Sequence, residues 1–468
     1  MSNVRRLFSI IMIIAMIGAL LLSGCGSKNT KQTTSSGEKN KSSQGASQET
    51  KNTNTSEVTE VTFWHSDWGV NYMNHLKATL VDTFNKTHKN VQVKLVIMPN
   101  GDGVTGFDKK ITAAIAGGSP PDVLYIDRFA VGEWAAKGLI EDISDLVKRD
   151  GINADDYYKA CWDETIFNGK QYAMPYITDA RGLFYNKTLF KKAGLDPSSP
   201  PKTIDELDQM AEKLTVKDAN GNYTQLGYVP WWDQSGGSIY DIGFRFGGKF
   251  IDDKGNLTPN DPNLVKALEW AVGYAKKYGY DKVNQMPGQL KLTRDAFSSG
   301  RLAMMYNGNF AIPSLVDPKN KVSFEWDTAP FPTVPGVDSA SWGGGFSMAI
   351  PKGAKHRDAA WEFIKWATGK EGQMSVLKNF DANGNQLSAM PSVNEAYVNN
   401  WDPRYQVFVK ELLPKNHYRP VTPVGQTLWN LLWDAKEKAY QGKGDPKALL
   451  DDVKKKIDAE LAKPIYER

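Results

Sequence analysis

Residues 119–143 read SPPDVLYIDRFAVGEWAAKGLIEDI, and the fold is decided there. Pro120-Pro121 keeps the incoming backbone extended. The apolar run 123–126 predicts a parallel strand buried on both faces. The run stops at Asp127-Arg128, and Trp134, Ala135 and Leu139, with Gly138 near the end, predict a helix after it. Two opposite charges therefore stand just past the C-terminal end of a central strand, the edge where open α/β sheets bind ligands. The plainer alternative is a salt-bridged turn.

Outward from this stretch, residues 58–64 predict a first strand ending in the turn His65-Ser66-Asp67-Trp68-Gly69. Leu76, Leu80 and Phe84 predict a helix to about Thr87, and Val91, Val93, Leu95 and Ile97 alternate as a second strand. A helix over 111–116 ends at Gly117-Gly118. This strand–helix alternation predicts an α/β fold with a parallel sheet covered by helices on both faces. Downstream, Asn168-Gly169 marks a hairpin, Pro175 is expected to interrupt the sheet, and a new extended segment places a domain crossover near Ile177. Thr203 and Glu206 form a capping box opening a helix to Leu214. The pentad DANGN occurs at 218–222 and again at 381–385; its Gly stands fourth, where a calcium loop needs it sixth, so no metal is expected. In the turn 228–237, Trp231 and Trp232 cannot both face one core from one strand, so at least one is expected to be exposed or to face a ligand. Residues 302–306 predict a strand running into Phe310, and 348–350 another. The run Trp342-Gly343-Gly344-Gly345-Phe346 permits close backbone approach or a hinge. Helices are expected over 357–367, 426–440 and 446–462.

The N-terminus is of another kind. Arg5-Arg6 precedes an apolar run over 7–22, the plan of a secretory signal and short for a spanning helix. It ends Leu22-Ser23-Gly24-Cys25, which resembles the bacterial lipobox whose Cys is lipidated after cleavage. Residues 26–56 are almost wholly polar, without an aromatic, and are expected to form a disordered tether reaching roughly 30 Å. The organisation expected is thus a lipoprotein signal over 1–24, a lipidated Cys and tether over 25–57, and a folded body.

About 410 residues follow the tether, too many for one ordinary core. The chain carries +4, of which the leader holds +2 and the tether +3, leaving the body at −1. A body so near neutrality excludes an electrostatic case for nucleic acid. Cys161 is the body's single thiol and reads as a buried small hydrophobe, not a nucleophile.

Taken together, PDVLYIDRFAVGEWAAKGLIEDI, NGKQYAMPYITDARGLFYNKTLFKKAGL, FSSGRLAMMYNGNFAI and AIPKGAKHRDAAWEFIKWATGKEGQ resemble, in order and spacing, the family-1 extracellular solute-binding proteins of bacterial ABC importers, especially the maltose-binding type. The resemblance covers nearly the whole body. It implies a two-lobe periplasmic-binding-protein fold with a hinge, one lobe over 58–177 plus 347–400 and the other over 178–346 plus 401–468. It implies a sugar, an oligosaccharide, as ligand, ABC permease membrane subunits as partners, and a monomer anchored outside the cytoplasm through Cys25. No catalytic residue or cofactor is implied.

Residue by residue, Asp127 and Arg128 match a sugar-binding Asp-Arg pair. Asp179 stands for a sugar-binding Glu, Phe310 for a stacking Trp, and Trp429 for another; the residue before the pair is Trp in that type and Leu124 here. Trp64, Trp231, Trp232 and Trp342 lie on turns lining the cleft in relatives, with Gly344 in the hinge run. The side-chain types suit a pyranose: rings cover its C–H faces, and Asp and Arg bond its hydroxyl rim. Alternatives stay open. Trp429 fits a helix core equally well, His65 fits a turn, and Asp179 can simply pair with Arg181. A secreted glycosidase would also carry aromatics and two carboxylates, although a cation beside Asp127 is the wrong setting for a general acid. A receptor for a phosphorylated solute would need an Arg cluster, for which Arg128, Arg181 and Arg245 are the candidates.

Overall fold

The computed structural model describes residues 58–101, 108–319, 322–378 and 386–466. The leader, Cys25, the tether and the second DANGN turn lie outside the described residues.

A six-stranded sheet is built around the strand Val123–Asp127. That strand pairs in parallel with Thr59–Ser66, which pairs in parallel with Val91–Met98. Its other edge pairs antiparallel with Gly345–Ala349, and Met174–Thr178 and Leu387–Ser388 complete the sheet. The sheet is thus parallel only where strand–helix units supply it, and mixed where the chain returns from elsewhere. Residues 123–126 are wholly buried. Val123 and Tyr125 join the main core, while Leu124 and Ile126 join a second cluster with Val131 and Trp134.

Three local outcomes differ from the sequence reading. The first strand continues through His65 and Ser66, because His65 stacks on Tyr125 at 3.8 Å between ring centroids instead of turning outward. Its helix, Val70 to Thr87, contains a π-turn over Lys77–Val81. Pro175 lies inside the strand Met174–Thr178, opposite Ser347, where the register shifts between Phe346 and Ser347. A bulge needs no ladder N–H at that point, so the imino acid is accommodated.

The second sheet is antiparallel, with Arg181–Asn186 between Met304–Gly308 and Trp326–Ala329. The helices Pro262–Tyr278, Gly425–Tyr440 and Pro446–Leu461 pack on one another. Only Asp179 and Ala180 separate Thr178, at the end of the larger sheet, from Arg181, at the start of the smaller one. The chain returns at Gly345, so Thr178, Gly345 and Phe346 belong to the larger sheet, a residue or two beyond the boundaries read from sequence. Gly345 has φ +127°, and a Cβ there would lie 2.3 Å from the Ile177 carbonyl oxygen, so only glycine fits this crossing. Signals carried by short spacing appear as read. Asn168 and Gly169 both take left-handed φ in a hairpin, and Thr203 and Glu206 complete both bonds of their capping box. Cys161 is buried, and no described helix is long and apolar enough to cross a membrane.

Candidate functional site

Asp127 closes its strand and caps the short turn that follows, its Oδ1 accepting from the Phe129 N–H at 2.9 Å. The same oxygen accepts from Arg419 Nη2 at 2.9 Å. Arg128, its neighbour in sequence, turns the other way. Its side chain is 1% exposed; Nε donates to Glu164 Oε2 at 3.0 Å, Nη1 to the Ile177 carbonyl at 2.5 Å, and Nη2 to the Gly344 carbonyl. Arg128 is therefore a pin through both crossing strands, not a wall of the cleft. The salt-bridged turn does not form either, since each charge finds a distant partner.

Asp179 and Arg181 flank Ala180 where the chain crosses between the sheets and face the same side, as residues two apart in extended chain do. Asp179 Oδ1 accepts from Arg181 Nη1 at 2.6 Å and from the Gly344 N–H at 2.9 Å. Arg181 also donates to Gln234 Oε1 at 2.9 Å and to the Trp342 carbonyl at 2.7 Å, and its guanidinium lies 3.8 Å from the Trp342 ring centroid. The Trp342 indole N–H donates to Asp241 Oδ1, and burial pushes the Asp241 carboxyl above its ordinary range.

These groups meet in a cavity of about 360 Å³. Six rings line it: Trp68, Phe129, Phe310, Trp342, Phe346 and Trp429. Between them stand the Asp127–Arg419 and Asp179–Arg181 pairs, with Gln234 and Gln386. Trp68 and Phe346 meet edge-on at 4.9 Å, and Phe346 is backed by Tyr125 at 4.4 Å. Trp429 is braced by Tyr240, stacked at 5.7 Å, so it serves core and cavity at once. Arg419 lies 4.5 Å from the Phe129 ring centroid. The cavity therefore offers apolar faces and charge-assisted donors and acceptors already balanced against each other. Each lining carboxylate is bonded to a guanidinium. A larger groove of about 540 Å³ is lined by Tyr280 and Tyr440 and rimmed by Lys276, Lys282 and Lys443, with no carboxylate–guanidinium pair in its lining.

Of the residues singled out from sequence, Asp127, Asp179, Phe310, Trp342, Gly344 and Trp429 line the cavity. Trp64 does not; it packs half-buried beside the Leu124–Ile126 cluster on the opposite sheet face. Trp231 and Trp232 do not either. Their segment is a 3-10 turn, not a strand, so both indoles reach one acceptor, Asn284 Oδ1, at 2.9 and 3.1 Å. Arg245 is fully buried and paired with Asp233 at 2.7 Å, which removes it from any anion site. His65 is core: burial pushes its pKa down to about 4. Trp68, Phe129, Gln234, Phe346, Gln386 and Arg419 escaped the sequence reading. Trp68 and Phe346 carried a signal, as aromatics beside a strand end and a glycine run; Arg419, in the segment before a helix, carried none.

Residues 72–374 match the family described as bacterial extracellular solute-binding protein. A maltooligosaccharide ABC transporter solute-binding lipoprotein of Streptococcus pneumoniae is 26% identical over 94% of this chain and 93% of its own length. A mannitol-binding protein of Pseudomonas aeruginosa is 26% identical over 68% of this chain and 72% of its own. Among solved structures, CpMnBP1 with mannotriose bound superposes with a TM-score of 0.70 at 28% identity, covering 85% of this chain and 99% of that one.

Proposed function

The chain belongs to the bacterial extracellular solute-binding proteins, with the two-lobe periplasmic-binding fold, and on that footing we propose that it captures an oligosaccharide in the cavity between its sheets and delivers it to an ABC permease. The observation that carries this reading is the cavity's composition: six rings around two carboxylate–guanidinium pairs. Rings cover the C–H faces of pyranoses with rigid area, and the paired charges bond the hydroxyl rim. A hydroxyl missing from the ligand would leave one of these buried groups unbonded, which is how such a site discriminates. No bond of the ligand is broken in this account. The glycosidase alternative loses ground because both lining carboxylates are held by guanidiniums, where a hydrolase needs one free to donate a proton. The phosphorylated-solute alternative loses ground because Arg181 and Arg419 are each matched by a carboxylate and Arg128 and Arg245 lie elsewhere.

The Leu22-Ser23-Gly24-Cys25 tetrad supports anchoring by lipid on Cys25, outside the cytoplasm. The lipoprotein from Streptococcus pneumoniae, similar along nearly its whole length, is in keeping with this. A second reading, a linear polyol, is favoured by the mannitol-binding relative. Thermal-shift measurements with mannotriose, maltotriose and mannitol, followed by calorimetry, separate the two. A ligand at a hundred times its Kd adds about 2.7 kcal/mol to stability. A shift with a trisaccharide and none with mannitol is expected; the reverse favours the polyol, and hydrolysis of bound trisaccharide overturns both.

A further inference from the structure

We propose that Lys436, which does not line the cavity, is the positioning residue that holds the Gln234–Ser235 wall in its binding shape. The inference rests on the reading of this cavity as the ligand site.

Ser235, Gly236 and Gly237 take φ of 59°, 61° and 59°, three left-handed residues in succession. Glycine adopts this region freely, but serine does so only when its surroundings impose it. Ser235 and Gln234 line the cavity, and Gln234 Oε1 receives both the Ser235 hydroxyl at 2.8 Å and Arg181 Nε at 2.9 Å. The strained turn thus sets where Gln234 stands and how Arg181 meets Asp179.

The constraint comes from the helix Gly425–Tyr440. Trp429, Trp433 and Lys436 stand at i, i+4 and i+7, on one face of it. Trp429 lines the cavity, and the next two support the turn. A Cβ on Gly236 would lie 2.7 Å from the Trp433 ring, so the backbone rests directly on the indole. The Lys436 side chain is 0% exposed; Nζ donates to the Gly236 carbonyl at 2.7 Å, lies 3.4 Å from the Trp433 ring centroid and 3.2 Å from Glu437. Glu437 is held in turn by the Tyr280 hydroxyl at 3.0 Å. A buried ammonium is retained only where such partners offset its desolvation, and burial here pulls its pKa below the ordinary lysine value. A charge so placed, bonded to the carbonyl between two left-handed residues, fixes the turn.

The test uses the full chain, with mannotriose and maltotriose as probes, and compares wild type, Lys436→Met and Lys436→Gln. Amide exchange over 232–238 without sugar is expected to rise in Lys436→Met while the rest of the helix stays protected. Affinity for whichever probe the wild type binds is expected to fall about tenfold. Lys436→Gln, which keeps a donor for the Gly236 carbonyl, is expected to retain most of that affinity and exchange protection; a lysine acting only by filling space would show no difference between the two variants. Unchanged exchange over 232–238 in Lys436→Met, or Lys436→Gln no better than Lys436→Met, overturns the proposal. If the wild type binds neither probe, the oligosaccharide reading fails, and the exchange comparison still decides the role of Lys436.

Discussion

Two Asp–Arg pairs, one at the end of the strand Val123–Asp127 and one where the chain crosses between the sheets, look alike in sequence but work differently. Asp127 and Arg128 are adjacent, so they leave the chain on opposite sides. Asp127 reaches the cavity and is met there by Arg419, while Arg128 sinks into the crossing strands against Glu164 and the carbonyls of Ile177 and Gly344. Asp179 and Arg181 are two apart on extended chain, so they stay together and both face the cavity. Spacing of one against spacing of two separates a structural arginine from a cavity-facing one.

The largest effect expected from breaking this contrast is at Arg128. Arg128→Met strips the donor from three buried acceptors and should lower stability by about 3–5 kcal/mol, read as the urea midpoint. Asp127→Asn keeps the capping oxygen and should shift that midpoint by less than about 1 kcal/mol. Equal losses in the two variants would erase the distinction between the residues.

The regions beneath the pairs should differ in pH response. His65, stacked on Tyr125 in the strand that ends at Asp127, has its pKa pushed down to about 4 by burial. Its folded pKa is depressed, so its contribution is full above about 6.5 and is lost as pH falls toward 4, a change of about 3 kcal/mol. Asp233 is raised to about 6 by burial, against the opposing pull of Arg245. That contribution has the opposite sign: full below the unfolded value of 3.8, and lost as pH rises through 6. Urea midpoints of wild type and His65→Phe between pH 4 and 7 should therefore diverge, with the variant losing less stability on acidification. Parallel curves would mean that His65 takes up its proton without unfolding.

Where the chain crosses between the sheets, Asp179→Ala removes the acceptor shared by Arg181 and the Gly344 N–H. Trisaccharide affinity should fall on the order of 100-fold in calorimetry. The smallest effect should come from Trp68→Ala, which removes one ring of six and should cost about tenfold in the same titration.

The legible features were those set by short spacing. The strand at 123–126, the Asn168-Gly169 turn and the Thr203 capping box depend on residues within a few positions of each other. Asp179, Phe310 and Trp429 were reached through the family resemblance, and they do line the cavity. What escaped depended on distant partners. The direction of Arg128 follows from Glu164, 36 residues away, and Arg419 reaches Asp127 across 292 residues. Trp231 and Trp232 misled because the chain turns tightly at Pro230, so the alternation rule did not apply. Pro175 misled because the bulge that tolerates it is formed with Ser347, a residue from the returning chain.

The central claim is that the Asp179–Arg181 crossing is built for a sugar. Calorimetric titration of wild type and Asp179→Ala with mannotriose and maltotriose tests it most directly. Saturable binding of at least one trisaccharide, reduced on the order of 100-fold in a folded variant, is the expected result. Binding of neither trisaccharide by the wild type, or equal binding by both proteins, would contradict the account.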